Sequence, residues 1–190
     1  VDEGNTNYGS DERGVLFNKD KTKLIQAPGA LTGSYTIPDS VTKIAAYAFY
    51  KCAELTSVTI PDSVINIGSS AFSGCAALTS VAIGNSVDYV GFDAFSFCTS
   101  LASVTISDGV GGISHYAFSN CTALTSVIIP ESVDFIGAEA FSDCTNLKEI
   151  SFERSAPDID SSAFTEVTAT AYYYPDETWT ADVMQNYGGT

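Results

Sequence analysis

The apolar residues of the chain recur with a period of 23 residues. Five consecutive segments repeat one order of apolar and polar positions without insertion or deletion, and they begin at Ile37, Ile60, Ile83, Ile106 and Ile129. The second segment reads IPDSVINIGSSAFSGCAALTSVA, and the fifth reads IPESVDFIGAEAFSDCTNLKEIS. A degenerate sixth segment starts at Phe152. A fixed period of this length predicts a solenoid, in which each repeat forms one turn of a coil.

Superposing the repeats places the same apolar residue types in columns. One column holds Phe49, Phe72, Phe95, Phe118, Phe141 and Phe164, and another holds Leu55, Leu78, Leu101, Leu124 and Leu147. Four further columns hold Val or Ile. Because a unit of this size cannot bury its own apolar face, we expect each residue to pack on its counterpart in the next turn.

Each turn is predicted to contain one strand, a tight turn and a less regular back. Residues 55–60 alternate as a strand does, with Val58 and Ile60 facing the core. Pro61 and Asp62 predict the tight turn that follows. Residues 64–67 predict a short extended segment on the opposite side, and residues 69–75 predict a short helical turn. The predicted fold is a right-handed β-solenoid with a parallel main sheet and a short helical or irregular back side.

The repeat pattern IPxSVxxIGxxAFxxCxxLTSV resembles the BspA-like leucine-rich repeats of bacterial surface proteins. The resemblance is close over residues 37–151 and loose over residues 152–164. It implies a leucine-rich-repeat solenoid with an extracellular or cell-surface location. It also implies a role in attachment to host matrix proteins or to other cells, and it brings no catalytic residues because the family shares none.

The repeats divide the chain into three parts of one continuous domain. Residues 1–36 are predicted to form a partial repeat with a β-hairpin over residues 14–25, residues 37–151 form the five regular repeats, and residues 152–190 form a degenerate sixth repeat and a cap. The first five residues resemble the piece that follows a repeat's strand, so we expect the chain to start within a longer array.

The C-terminal cap is aromatic. The run Tyr172–Tyr174 falls where a strand is expected, and two registers are open: one turns Tyr173 inward, the other turns its two neighbours inward. The segment 178–187 predicts an amphipathic helix that covers the end of the core with Trp179, Val183, Met184 and Tyr187.

Composition narrows the classes of partner. The chain carries 8 basic and 23 acidic residues, for a net charge of −15, and no Lys or Arg occurs between Lys51 and Lys148. Such a charge disfavours nucleic acids and anionic membranes as partners. No apolar run approaches the roughly 20 residues that cross a bilayer, so we expect no membrane insertion.

The residues that often carry chemistry do not form a predicted reaction centre. The five cysteines, Cys52, Cys75, Cys98, Cys121 and Cys144, form one column and are predicted to be buried thiols rather than disulfides or zinc ligands. His115, the single histidine, is predicted to be exposed on the back and away from the thiols. We therefore expect no catalytic residue, metal or cofactor.

One polar column follows the main strand, and it consists of Asp39, Asp62, Asn85, Asp108 and Glu131. Two interpretations are open. The column is either repeated turn chemistry or a ledge of oxygen ligands on which adjacent turns share a calcium ion.

Binding specificity must come from outward positions, because packing fixes the inward ones. The outward face of the main sheet is small and nearly uncharged, which is either strand propensity or a flat contact surface. The candidate interaction surface for a protein or host-matrix ligand lies on the back and consists of Tyr89, Phe92, Phe97, Tyr116 and Phe135. Alternatively, Phe92 and Phe135 fold over neighbouring turns.

Three functions follow from these observations. The first is a non-catalytic extracellular module for binding or adhesion. The second is a structural spacer within a longer cell-surface protein. The third, a carbohydrate-active enzyme, would require a deep pocket with converging carboxylates.

Overall fold

The structure, a computed structural model, describes residues 5–174 and 176–181. Its core is a coil of about seven turns. Each turn contributes one strand to a front face, which is the predicted main sheet, and one short strand to a back sheet. The predicted leucine-rich-repeat β-solenoid is confirmed.

The back sheet marks the turns most regularly. Two N-terminal strands, β1 (Tyr8–Ser10) and β2 (Leu16–Asn18), precede its parallel part. One strand per turn then follows: β3 (Lys23–Gln26), β5 (Lys43–Ile44), β7 (Asn66–Ile67), β9 (Tyr89–Val90), β11 (Gly112–Ile113), β13 (Phe135–Ile136) and β15 (Asp158–Ile159). These strands lie in the order of the chain in one nine-stranded sheet. The extended segment predicted for residues 64–67 therefore exists, although only its last two residues pair as a strand.

The front face consists of two sheets rather than the single sheet that the repeats predict. The first contains β4 (Gly33–Thr36), β6 (Leu55–Thr59), β8 (Ser80–Ile83) and β10 (Ser103–Ile106); the second contains β12 (Ser126–Ile129), β14 (Glu149–Phe152) and β16 (Thr170–Tyr172). Pairing within each sheet is parallel and follows the repeat, as in Val58 opposite Val81. At the interruption Val104 is 9% exposed and Ile106 is 7% exposed, the highest values in their columns. The core is least tightly covered there.

The phenylalanine column forms a continuous stack through the core. Ring centroids of successive phenylalanines from Phe49 to Phe164 are 4.8, 5.0, 5.4, 5.3 and 5.2 Å apart, and their planes differ by 12° or less. The stack follows the strand spacing of about 4.8 Å, because the backbone sets the separation of the turns. The leucine column is buried as well, with Leu55, Leu78 and Leu101 all inaccessible to solvent.

The predicted helical turn on the back is wrong, because the segment is a series of tight turns. Within one turn the amide of Tyr50 donates to the carbonyl of Tyr47 at 3.1 Å, while the amides of Phe49 and Lys51 donate to the next turn, to Ala71 and Ser73. Tyr47 and Lys51 have φ values of 60° and 55°. Left-handed residues at this spacing stop a helix and turn alternate amides towards the neighbouring turn. The back loops are therefore joined by hydrogen bonds in the same direction as the sheets.

The N-terminal part contains the hairpin expected over residues 14–25. Strands β2 and β3 pair antiparallel, and the amide of Lys21 closes the turn onto the carbonyl of Asn18 at 3.1 Å. Strand β1 adds to the outer side of β2, which the sequence analysis does not predict. Arg13 links this unit to the front face, because its guanidinium bonds the carbonyls of Thr32 and Ser34.

The C-terminal turn resolves the register of the tyrosine run. Strand β16 pairs Ala171 with Ile150, so Tyr173 reaches the inward side while Tyr172 and Tyr174 are 52% and 70% exposed. The ring of Tyr173 stacks on Trp179 at 4.8 Å. Trp179 is 7% exposed, contacts Phe152 and donates its indole N–H to the carbonyl of Arg154 at 3.0 Å. The other residues predicted for the cap, Val183, Met184 and Tyr187, lie outside the described residues.

The stacked core makes a direct prediction for stability. Replacing Phe95, which is fully buried between Phe72 and Phe118, by Ala is expected to lower the free energy of unfolding by about 3–5 kcal/mol. Urea denaturation followed by circular dichroism measures this change. Phe92→Ala is the matched control, because Phe92 is 48% exposed, and it should cost less than about 1 kcal/mol. Equal costs for the two substitutions would contradict the stacked core.

Candidate interaction surface

Two of the predicted surface residues form a pair on the outer side of the back sheet. Tyr89 on β9 and Phe135 on β13 are separated by one strand, and their ring centroids are 5.8 Å apart. The intervening position is Gly112, where an added Cβ would overlap the Phe135 ring. Glycine is therefore required there, because it lets Phe135 lie across the neighbouring turn. Tyr89 stays 49% exposed.

A second pair lies at the corner that follows the back strands. The ring of Phe92 meets that of Tyr116 edge-on, with centroids 5.5 Å apart. The Tyr116 hydroxyl donates to Oε1 of Glu139 at 3.1 Å, and this hydrogen bond raises the pKa of Tyr116. Phe92 remains 48% exposed, so it covers its neighbour only in part. The structure thus assigns the role of covering an adjacent turn to Phe135 more than to Phe92.

The fifth predicted residue, Phe97, belongs to a different cluster. It is 55% exposed and lines a hollow of about 460 Å³ on the back loops, together with Tyr47, Tyr50, Lys51 and Asp93. Sequence reasoning did not single out the two tyrosines. Their signal was present, because Tyr47 and Tyr50 occupy positions where the next repeat has only serines.

The front face is flat and carries few functional groups. Its outward positions alternate with buried ones, as in β12, where Ile128 is 55% exposed between two buried neighbours. Apart from the exposed Glu149 on β14 and Tyr172 on β16, this face offers small side chains and the exposed Ile128. The front face therefore supplies control positions for substitutions of the aromatic residues on the back.

In the polar column after the front strands, the side chain of Asp62 links its turn to the next one. Oδ1 of Asp62 accepts a hydrogen bond from the amide of Asn85 in the next turn at 2.9 Å. The amides of Val41 and Val64 close turns onto the carbonyls of Pro38 and Pro61. Over residues 5–174 and 176–181 no group of three or more His, Cys, Asp or Glu side chains could hold a metal ion. The calcium ledge therefore gains no support.

The five cysteines are buried and free, as predicted. Each Sγ–H donates to a main-chain carbonyl in the preceding turn. Cys75, Cys98, Cys121 and Cys144 bond the carbonyls of successive core phenylalanines at 3.1–3.2 Å, and Cys52 bonds Pro28 at 3.5 Å. Burial raises the pKa of Cys52 to about 11 and that of Cys98 to about 12. Cys52 and Cys98 therefore stay protonated at neutral pH, and the five thiols act as packing groups that also satisfy carbonyls.

A buried serine column accompanies the thiols and escaped the sequence analysis. Ser73, Ser96, Ser119 and Ser142 each follow a core phenylalanine and are 5% exposed or less. The hydroxyl of Ser96 donates to that of Ser73 at 2.9 Å, and the hydroxyls of Ser119 and Ser142 are also 2.9 Å apart. The pairing of serines between turns explains why a polar residue is tolerated beside the core.

His115 is exposed, as predicted. Its Nδ1 accepts a hydrogen bond from the amide of Ala138 in the next turn at 2.8 Å. The thiol of Cys121 bonds the carbonyl of Phe95 and is buried. The imidazole therefore helps to join two turns and does not pair with a nucleophile in the described part of the chain.

One hollow does contain several carboxylates. It measures about 530 Å³, lies near the C-terminal turn and is lined by Glu131, Glu153, Arg154 and Asp176. Glu131 is engaged by Arg154 at 3.2 Å. Hydrogen bonds from Thr178 lower the pKa of Asp176, so this carboxyl is ionised at neutral pH and is poorly suited to act as a general acid.

Comparisons with known proteins agree with the repeat architecture. The family model described as the BspA type leucine-rich repeat region matches residues 30–123 and 111–182 in six copies. No match was found among curated proteins. Among the residues that the structure describes, there is no helix that is long and apolar enough to cross a membrane.

Solved structures of bacterial repeat proteins resemble the chain. A leucine-rich cell surface protein of Faecalibacterium prausnitzii A2-165 is 36% identical with a TM-score of 0.72, over 77% of this chain and 39% of that one. A leucine-rich repeat protein of Eubacterium ventriosum is 27% identical with a TM-score of 0.79, over 95% of this chain and 54% of that one. A leucine-rich repeat protein of T. pallidum, 22% identical with a TM-score of 0.68, shares the fold. The chain thus spans less than two thirds of the first two proteins.

The thiol column predicts slow alkylation of the native protein. At about pH 8 the shift of the Cys52 pKa from 9.0 to about 11 should reduce its thiolate, and with it the rate of reaction with iodoacetamide, about 100-fold relative to the unfolded chain. Mass spectrometry of quenched samples gives the rate for each cysteine, and the same chain in concentrated guanidinium chloride is the control. Cys52 should react before Cys98. Rapid native labelling of Cys98 would contradict a closed column.

The same pKa shifts predict that alkali destabilises the fold. The unfolded chain loses thiol protons near pH 9, whereas folded Cys52 and Cys98 hold theirs to about 11 and 12. The contribution of these two thiols to the free energy of unfolding should therefore be constant below about pH 8 and fall as the pH rises from about 9 to 12. Denaturant titrations across this range measure the decline. A Cys98→Ala variant should decline less steeply, and an identical slope would refute the contribution of Cys98.

Proposed function

Because the chain belongs to the BspA-type leucine-rich repeat family, we propose that it is a non-catalytic binding module displayed at or outside the bacterial cell surface. The partner is a protein, such as a component of the host extracellular matrix. The observation that carries the proposal is the set of large aromatic side chains left exposed on the back, in a fold whose other large apolar side chains are mostly buried. Exposed aromatic groups in neighbouring positions are typical of protein interfaces.

The charge around these side chains defines the partner further. Asp88 and Asp134 immediately precede Tyr89 and Phe135, and both aspartates are exposed. The stretch between Lys51 and Lys148 contains no basic residue to offset them. An apolar centre with an acidic rim fits a partner surface that has an apolar centre and a basic rim. This arrangement also favours faster association at low ionic strength.

A spacer is the second candidate. It is favoured by the length comparison, because the chain corresponds to 39% and 54% of two longer repeat proteins. A spacer predicts that the back aromatics can be replaced without consequence for any interaction. The two functions are therefore distinguished by the same set of variants.

The test is a triple variant in which Tyr89, Phe92 and Phe135 are replaced by Ser. We expect saturable binding of the wild-type chain to at least one purified matrix protein, and a loss of affinity of about 10-fold or more in the triple variant. Biolayer interferometry against a panel of matrix proteins measures both. Ile128→Ser on the front face is the control, because Ile128 is also a large apolar residue and is 55% exposed.

Circular dichroism melts confirm that each variant is folded before affinities are compared. Unchanged affinity in the triple variant would remove the back surface from the proposal. Absence of saturable binding by the wild type to any matrix protein or to intact neighbouring bacteria would favour the spacer.

A further inference from the structure

The hollow beside Phe97 arises from one turn with small side chains between two turns with large ones. The first turn presents Tyr47, Tyr50 and Lys51, whereas the equivalent positions of the second turn are Ser70, Ser73 and Gly74. The third turn presents Asp93 and Phe97. The hollow is therefore about one side-chain layer wide, close to the turn spacing of about 4.8 Å.

Backbone hydrogen bonds hold the three layers in place. The amide of Lys51 donates to the carbonyl of Ser73 at 2.8 Å, and that of Gly74 donates to the carbonyl of Ser96 at 2.8 Å. Lys51, Gly74 and Phe97 are equivalent residues and share a left-handed backbone, with φ values of 55°, 75° and 55°. The walls of the hollow are thus set by the solenoid itself.

The described part of the chain does not fill the hollow. At Gly112, another small position on the back, the Phe135 ring occupies the space that a side chain would take. At Gly74 only the aliphatic stem of Lys51 lies near, with its Cγ 3.1 Å from an added Cβ. Phe97 stands 55% exposed, and Tyr47 and Tyr50 are 54% and 41% exposed. Three aromatic rings therefore border a space that no side chain of residues 5–174 or 176–181 closes.

The polar groups in the hollow are of both signs and are already oriented. The Lys51 ammonium lies over the Tyr50 ring, 5.1 Å from its centroid. Oδ2 of Asp93 accepts a hydrogen bond from the Ser70 hydroxyl at 3.1 Å. The rings of Tyr47 and Tyr50 pack edge-on, with their centroids 5.6 Å apart, and this contact holds both rings in place at their side of the hollow.

This combination discriminates between classes of ligand. A group that carries a single charge would be attracted by one of Lys51 and Asp93 and repelled by the other, and an anionic group would in addition meet a chain of net charge −15. A purely aliphatic group would remove water from both charges without replacing its hydrogen bonds. A neutral ring with apolar faces and a rim of hydroxyls satisfies all of these groups, because each hydroxyl both donates and accepts.

We propose that the hollow bordered by Tyr47, Tyr50, Lys51, Asp93 and Phe97 binds a neutral pyranose ring of a glycan. The ring faces contact Phe97 and the tyrosines, and its hydroxyls bond Asp93, Lys51 and Ser70. This site is additional to the protein-binding surface of Tyr89, Phe92 and Phe135. No bond is made or broken, so the sugar is bound and not hydrolysed.

The experiment is a titration of the wild-type chain with the methyl glycosides of glucose, galactose, mannose and N-acetylglucosamine, followed by saturation-transfer NMR. We expect saturable binding of at least one glycoside with a Kd on the order of 1 mM, as suits a single shallow subsite. Phe97→Ala removes one wall and should weaken binding about 10-fold. Phe92→Ala is the matched control, because Phe92 is a similarly exposed phenylalanine outside the hollow, and it should leave the Kd unchanged.

A second variant separates loss of binding from loss of folding. Gly74→Asn places a side chain in the hollow. The backbone suits asparagine, as at the equivalent residue Asn120 with a φ of 60°, and the flexible stem of Lys51, whose Cγ lies 3.1 Å from an added Cβ, shifts slightly to admit it. This variant should keep the thermal melt of the wild type and lose sugar binding. Absence of saturable binding of all four glycosides to the wild type would overturn the proposal.

Two further results would also overturn it. One is unchanged binding in both Phe97→Ala and Gly74→Asn. The other is binding of a tryptophan- or arginine-containing peptide, but of no glycoside, that Gly74→Asn abolishes, since that would assign the hollow to a protein partner. The triple variant at Tyr89, Phe92 and Phe135 should retain sugar binding, so the two proposals fail independently.

Discussion

The contact between each inward side chain and the equivalent residue of the next turn is the constraint on which the other features depend. Successive phenylalanine rings stack at 4.8–5.4 Å, which is close to the separation that parallel strands impose on the turns. Side-chain packing and backbone hydrogen bonding therefore act along the same axis and with the same period. A residue change in one column alters the contacts above and below it, whereas a change at an outward position leaves the axis intact.

The same axis determines how buried polar groups are tolerated. Four of the five cysteines bond the carbonyls of core phenylalanines one turn earlier, and the serines that follow the phenylalanines bond one another between turns. No buried side-chain nitrogen or oxygen among the described residues lacks a hydrogen-bond partner. Chemically reactive residue types are thus used as structural groups. The raised pKa values of Cys52 and Cys98 are a consequence of this use rather than a sign of catalysis.

The residue type can vary at the outward positions, where the size of the residue matters as much as its chemical type. A glycine or serine between two large residues opens a space of one layer. At Gly112 the Phe135 ring closes that space, whereas at Gly74 the space stays open between Lys51 and Phe97. A regular scaffold can in this way present both apolar patches and hollows without any change of backbone. The proposed protein-binding surface and the proposed sugar subsite are two outcomes of this rule.

The sequence alone determined the period, the inward columns, the burial of the thiols and the exposure of His115. Each of these follows from the 23-residue spacing of the repeats, which recurs in every turn. It also limited the register of Tyr173 to two choices by the alternation of a strand. Only the tertiary structure decided between them, since Ala171 pairs with Ile150 two residues earlier than the repeat predicts. It also replaced the predicted helical turn by left-handed turns and moved Phe97 from one proposed surface to the hollow with Tyr47 and Tyr50. These features depend on side chains from three turns meeting in space, and a one-dimensional pattern does not specify which of them fills a gap left by its neighbour.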